Sequence, residues 1–189
     1  MDADVVRLRR GDLNALSELI ARYQSRLYRY LLRIVRQPAE AEDLFQQTWL
    51  KVVEKIHSLD ATRNFDAWLF TLARNLAIDH LRRVRPESLD EPLSDDGHCE
   101  TVADRIPSRD YTPLDTALAV ERRTQIDEAM APLPMIYREA LTMRFEDGMK
   151  IEEIAQVIGV PVSTVKSRLR RSLEQLRSAL VAHYGETWR

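Results

Sequence analysis

The sequence predicts an all-α chain of two small helical domains joined by a flexible acidic linker. Apolar residues recur at three- and four-residue steps, with no sustained alternation of the kind a strand needs. Only 5 of 189 residues are glycine while 31% are charged, which favours helix over sheet. Residues 86–115 interrupt the helical pattern with four of the chain's eight prolines.

The N-terminal stretch MDADVVRLRRGDLN has no apolar h-region and does not read as a secretory signal. Asp12 is placed to cap a first helix. Along it Leu13, Leu16, Leu19, Ile20, Tyr23, Leu27, Tyr30, Leu31 and Ile34 form the apolar face. Pro38 suits the first turn of a second helix, where its missing N–H is no loss. The expected inward stripe there is Leu44, Phe45, Trp49, Val52, Val53 and Ile56. After a break at 58–64, a third helix turns Phe65, Leu69, Leu72, Leu76 and Ile78 or Leu81 inward. Residues 1–85 thus predict a small bundle of three or four helices.

Residues 86–115 hold nine acids against two arginines, and like charges extend a chain. They read as a linker between units at 1–85 and 116–189. His98 and Cys99 lie within it, but two adjacent ligands make a poor metal site, so neither metal nor cofactor is expected. A single cysteine leaves no internal disulfide and fits a reducing compartment. No apolar run approaches the roughly 18 residues needed to span a bilayer. A soluble, cytoplasmic protein without direct membrane insertion is the expectation.

The C-terminal unit predicts helices at 118–130, 135–146, 151–158 and 162–183. Pro132 and Pro134 separate the first pair, and Asp147–Gly148 the second. The third break, Gly159-Val160-Pro161, has the pattern of a helix-turn-helix. Ala155 is small where helices must approach, and Gly159 supplies a left-handed turn at low cost. Ile154, Ile158, Val160 and Val165 supply the wedge of core. Lys150 falls at the N-cap of the leading helix, where Ser or Thr would be preferred.

The last helix carries Lys166, Arg168, Arg170, Arg171 and Arg177 against the single acid Glu174 in its first part, although the whole chain is at net −2. Ser163 and Thr164 lie in its first turn, where backbone N–H groups can meet phosphate. Lys166, Ser167, Arg170 and Arg171 project outward with Arg168 at the flank, in the manner of a recognition helix in the major groove.

The stretch LPMIYREALTMRFEDGMKIEEIAQVIGVPVSTVKSRLRRSLEQLR resembles region 4 of bacterial sigma factors of the extracytoplasmic-function class, in the sigma-70 superfamily. AEDLFQQTWLKVVEKIHSLDATRNFDAWLFTLARNLAIDHLRR resembles their region 2. The resemblance implies a dissociable, non-enzymatic subunit that directs core RNA polymerase to promoters and helps open them. Asp43, Gln46 and Gln47 match the face that docks on the clamp helices of the polymerase β′ subunit, with further contact to β. Phe65, Trp68, Arg74, Asn75, Arg82 and Arg83 match the part that reads and melts the −10 element. The loop at 58–64 would take a flipped base of the non-template strand. Ser163, Thr164, Lys166, Ser167, Arg168, Arg170 and Arg171 match the part that meets the −35 element. An anti-sigma factor, in some cases at the inner membrane, is a further implied partner.

The alternative is an autonomous helix-turn-helix regulator. A response-regulator-like activator would need an α/β receiver, which residues 1–85 do not offer. His57, His80, His98 and His183 have no matched acid or nucleophile motif, so an enzyme is disfavoured. An adaptor of helical hairpins is the remaining rival. The linker acids, at net −7, are expected to compete with phosphate for Arg170 and Arg171. Free protein should then bind promoter DNA poorly without polymerase.

Overall fold

The computed structural model describes residues 2–59, 64–84 and 113–185, the side chains of 113–120 excepted. The described residues form helices and no strands: α1 (Ala3–Arg9), α2 (Leu13–Val35), α3 (Pro38–Lys55), α4 (Phe65–Val84), α5 (Pro113–Met130), α6 (Met135–Leu141), α7 (Ile151–Ile158) and α8 (Val162–Tyr184). A short 3-10 turn, Ile56–Ser58, ends α3, and a wide π-type turn, Thr142–Glu146, ends α6.

Local chemistry sets most boundaries. The Asp12 carboxylate accepts from the Asn14 N–H at 3.0 Å, the cap expected from sequence. Asn64 does the same for Asp66 at 2.9 Å and starts α4. Pro38 stands in the first turn of α3, and Gln37 before it is extended. Asp2 accepts from Asp4 at 3.0 Å and caps α1, a helix not foreseen in the sequence. Its buried residues Val5 and Leu8 sit three apart, too short a pattern to stand out.

α1–α4 enclose a dry core. Tyr30 meets Phe70 edge-on at 5.0 Å, and Tyr23 meets Phe65 at 5.5 Å. Leu19, Leu27, Leu31, Leu44, Ile56 and Leu69 are fully buried around them. Each such side chain contributes about 1.5–3 kcal/mol of burial. Two residues expected inside are outside. Leu13 is 66% exposed, because it lies about 200° around the helix from Ala15, which starts the buried row. Val53 is 40% exposed, because neighbours on a helix differ by about 100° and Val52 takes the inward place.

The C-terminal helices bury a smaller cluster of Met130, Leu133 and Leu141, with Ile126, Tyr137 and Leu176 against it. α5 begins at Pro113, inside the segment read as linker, and the rest of that segment lies outside the described residues. The helix expected at 135–146 covers that span, but past Leu141 it widens from α to π geometry. Asp147 N–H donates back to Thr142 at 3.0 Å and Met149 to Met143 at 2.9 Å, spacings that widen the last turn. Met143 thereby stays buried while Glu146 and Asp147 turn toward α2.

The two halves pack on one another. Met135, Ala140, Met143, Ile154, Val157 and Val165 join the same continuous core as α1–α4. α6 and the wide turn lie on α2, and α7 lies on α4.

Candidate nucleic-acid and polymerase interfaces

The helix-turn-helix has the expected turn. Gly159 adopts φ +74°, and its N–H and that of Val160 reach the Ala155 carbonyl at 2.9 and 3.2 Å. Lys150 is the N-cap of α7 and contributes no side-chain bond there. Instead its backbone N–H donates to the Glu153 carboxylate at 2.8 Å, half of a capping box. Ile154, Val157 and Ile158 from α7 meet the core that Val165 and Leu169 of α8 also enter.

That packing fixes which side of α8 faces out. Ser163, Lys166, Arg170 and Arg171 are exposed, with Thr164, Ser167 and Arg168 half-buried at the margin. The Ser167 hydroxyl donates to the Thr164 carbonyl at 2.9 Å. Arg170 stands 3.8 Å from Glu174, both well exposed, a pairing worth a few tenths of a kcal/mol that phosphate can displace. The row presents guanidinium and ammonium groups to solvent along one side of α8.

On α3, Asp43, Gln46 and Gln47 are exposed and opposite the buried Ala41, Leu44, Thr48 and Val52. Leu50, 64% exposed, extends this face with Val53. The sequence reading did not place Leu50, since it assigned only inward apolar residues.

The −10 candidates on α4 are divided. Asn75, Arg82 and Arg83 are exposed. Arg82 lies 4.0 Å from Asp79, and Arg83 Nε donates to the Asp79 carbonyl at 3.2 Å. Phe65 is a correction: it is 5% exposed between Tyr23 and Trp68, and so is a core residue rather than a stacking surface. Trp68 is half-buried beside it at 5.8 Å. Arg74 is half-buried, and its Nε donates to Glu139 on α6 at 2.7 Å. Most of the 58–64 loop lies outside the described residues; Asn64, at its end, donates to Glu153 of α7 at 2.6 Å.

Among the described residues no group of three or more His, Cys, Asp or Glu gathers to hold a metal, and no helix is long and apolar enough to cross a membrane. His98 and Cys99 lie outside those residues.

The family models for sigma-70 region 2 and sigma-70 region 4 match residues 19–87 and 123–176. The chain is 32% identical to the RNA polymerase sigma-H factor of Pseudomonas aeruginosa, over 93% of this chain and 91% of that protein. It is 31% identical to the extracytoplasmic-function RNA polymerase sigma factor SigE of Mycolicibacterium smegmatis, over 94% of this chain and 67% of that one. The chain belongs to the extracytoplasmic-function sigma factors of the sigma-70 family. Among solved structures, the sigma factor RpoE of Bartonella quintana in complex with the anti-sigma factor NepR is similar, with a TM-score of 0.64 and 26% identity. The likeness covers 88% of this chain and 97% of that one.

The sigma factor also carries a buried polar seam between its halves that sequence reasoning missed. α2 contributes cations: Arg26 Nε lies 3.4 Å from Asp147, Arg29 Nε 3.1 Å from Glu146, and Arg33 pairs with Asp127 and Glu146. Tyr30 donates to Glu139 at 2.9 Å, and the same carboxylate oxygen accepts from Arg74. Burial, reinforced by Glu139, pushes the Tyr30 hydroxyl well above its ordinary value. Burial lifts the Asp147 carboxyl to about 7, against the pull of Arg26 and Arg29. Burial, with Arg36 and Arg33 nearby, lowers Arg138 to about 10; its guanidinium donates to the carbonyls of Leu133, Ala131 and, across the seam, Arg33. A signal existed: Arg22, Arg26, Arg29 and Arg33 repeat at steps of four, three and four along one helix.

Proposed function

We propose that this sigma factor binds core RNA polymerase and directs it to promoters whose −35 element is read by α8. Ser163, Thr164, Lys166, Ser167, Arg168, Arg170 and Arg171 are the residues assigned to that contact. Asn75, Arg74, Arg82, Arg83 and Trp68 on α4, with the loop before them, hold the melted −10 strand. Asp43, Gln46 and Gln47, with Leu50 beside them, dock on the β′ clamp helices. Residues 1–85 and 116–189 act as the two DNA-reading units, with 86–115 as the connection between them.

The observation that carries this reading is the outward basic row of α8 in the same chain as the uncommitted polar face of α3. A regulator that acts alone needs the first but has no use for the second. Solution of the related RpoE with an anti-sigma factor supports a similar partner here. The test is transcription of source-organism genomic DNA by purified core polymerase, with and without this chain, and mapping of transcript 5′ ends. Discrete new start sites sharing spaced upstream elements are expected. Their absence, or nanomolar promoter binding by the chain alone at physiological salt, overturns the reading.

A further inference from the structure

The outward face of α4 carries one group that is out of character. Trp68, Asn75, Asp79 and Arg82 fall within about 60° of one another around the helix, with Arg83 at the flank. The buried Phe70, Ala73, Ala77 and Leu81 lie on the opposite side. Aromatic, amide and guanidinium groups all suit a nucleic-acid strand, because they stack, pair with bases or meet phosphate. Asp79 is the exception, since its carboxylate repels phosphate.

α4 has two acids, and their situations differ. Asp66 accepts from the Tyr23 hydroxyl and from Arg26, so its charge is used inside the fold. The Asp79 side chain is 61% exposed, and Arg82, itself 65% exposed, stands 4.0 Å from it. An ion pair that long and that wet contributes little to stability. Arg83 Nε donates to the Asp79 carbonyl at 3.2 Å rather than to its carboxylate. Neither contact accounts for a charge at this position.

The two arginines keep the local field positive, so a strand can approach while the carboxylate between them still asks for hydrogen-bond donors. Along an unpaired strand those donors are the N–H groups of base edges. Two carboxylate oxygens side by side match two adjacent donors, and the Watson–Crick edge of guanine offers them as N1–H and the N2 amino group. Adenine and cytosine each set a ring-nitrogen acceptor beside the amino group, and thymine flanks its N3–H with two carbonyls. Each of these turns a lone pair toward one of the carboxylate oxygens.

We infer that Asp79 is a specificity-determining residue that reads an unpaired guanine in the strand held by α4. This rests on the assignment of α4 to the melted −10 strand. Asn75 and Trp68, about one and about three turns nearer the start of the helix, meet neighbouring nucleotides, and Arg82 and Arg83 supply the attraction.

The test is selection from a pool of single-stranded oligodeoxynucleotides of randomised sequence by holoenzyme, assembled from core polymerase and the full chain. The bound fraction is sequenced, with core polymerase alone as background. The wild type should enrich guanine at one position by about tenfold. Asp79→Ala should lose that enrichment. Asp79→Asn replaces one acceptor oxygen by an N–H donor, which suits adenine or cytosine, and should move the same position to those bases. Arg82→Ala should weaken binding to every sequence and keep the guanine. Both sites are exposed, so circular dichroism should match the wild type. A role confined to pairing with Arg82 would leave the base profile unchanged in both Asp79 variants, and that result overturns the assignment. So does a pool with no preferred base, or an Asp79-dependent position at which the wild type prefers another base. Transcription of genomic DNA is scored in parallel. Start sites whose upstream elements lack an Asp79-dependent guanine sink this inference and leave the proposed function standing. Guanine selection through Asp79 without new start sites keeps the inference and strikes the function.

Discussion

Two buried surfaces in this sigma factor are made of opposite materials. The interior of α1–α4 is aromatic and aliphatic, with Tyr30 and Phe70 in edge contact and leucines around them. The seam between α2 and the α6 turn is arginine against aspartate and glutamate. Tyr30 belongs to both: its ring faces the dry core and its hydroxyl faces Glu139. Apolar burial is non-directional and costly to reverse, whereas ion pairs exchange readily for water, salt or another charged partner. The first surface is held by apolar burial alone, whereas at the second the ion pairs flank apolar contacts of Met135, Met143, Ile154 and Val157 with that same core.

Substitutions can test that contrast, the largest effects first. Phe70→Ala should remove about 3–5 kcal/mol of global stability, read by denaturant unfolding. An unfolding midpoint close to wild type would show that the bundle interior is not the rigid element. Arg138→Met keeps the volume but strands carbonyls on both sides of the seam, for an expected loss of about 1–3 kcal/mol in the same assay. An unfolding midpoint equal to that of the wild type would show that those carbonyls do not depend on the guanidinium.

The seam should also loosen as pH rises. Asp147 faces Arg26 and Arg29 of α2, has Glu146 beside it, and is raised in the folded chain to about 7 from an ordinary 3.8. Folding therefore binds a proton. Its contribution is complete below about 4 and is lost as pH rises through 7. Between those values the ratio of folded to unfolded molecules should fall by at most about tenfold per pH unit, read by denaturant unfolding. Asp147→Asn should flatten that dependence, and a profile that stays steep in the variant would reject the assignment. The smallest effect is expected at Gly159→Ala. A Cβ there meets no atom within 4 Å, so only the left-handed backbone resists it. A loss of about 1 kcal/mol is expected in the thermal melt, with α8 still in place.

The helices of both halves were legible in the sequence because their signals are local. Asp12 caps α2 through its own side chain, Pro38 opens α3, and Gly159 turns α7 into α8 whatever surrounds them. The basic row of α8 was legible for the same reason, since helical spacing alone sets Lys166, Arg170 and Arg171 beside one another. Spacing set Phe65 inward while the family resemblance set it among the −10 residues, and the burial of its ring agrees with the spacing. Tyr23 and Trp68 decided it by closing over the ring.

The sequence by itself determined helix positions, the turn of the helix-turn-helix, the charge of α8 and the polar face of α3. Each depends on residues within one or two turns of each other. Only the tertiary structure decided that Arg74 is paired with Glu139, 65 residues away, and that Arg26 meets Asp147 across 121. A row of arginines on α2 announces that acids are wanted but not which ones. The partners come from how two halves separated by residues 85–112 dock, and that is fixed by the joint fit of Met135, Met143, Ile154 and Val157 to the region 2 core.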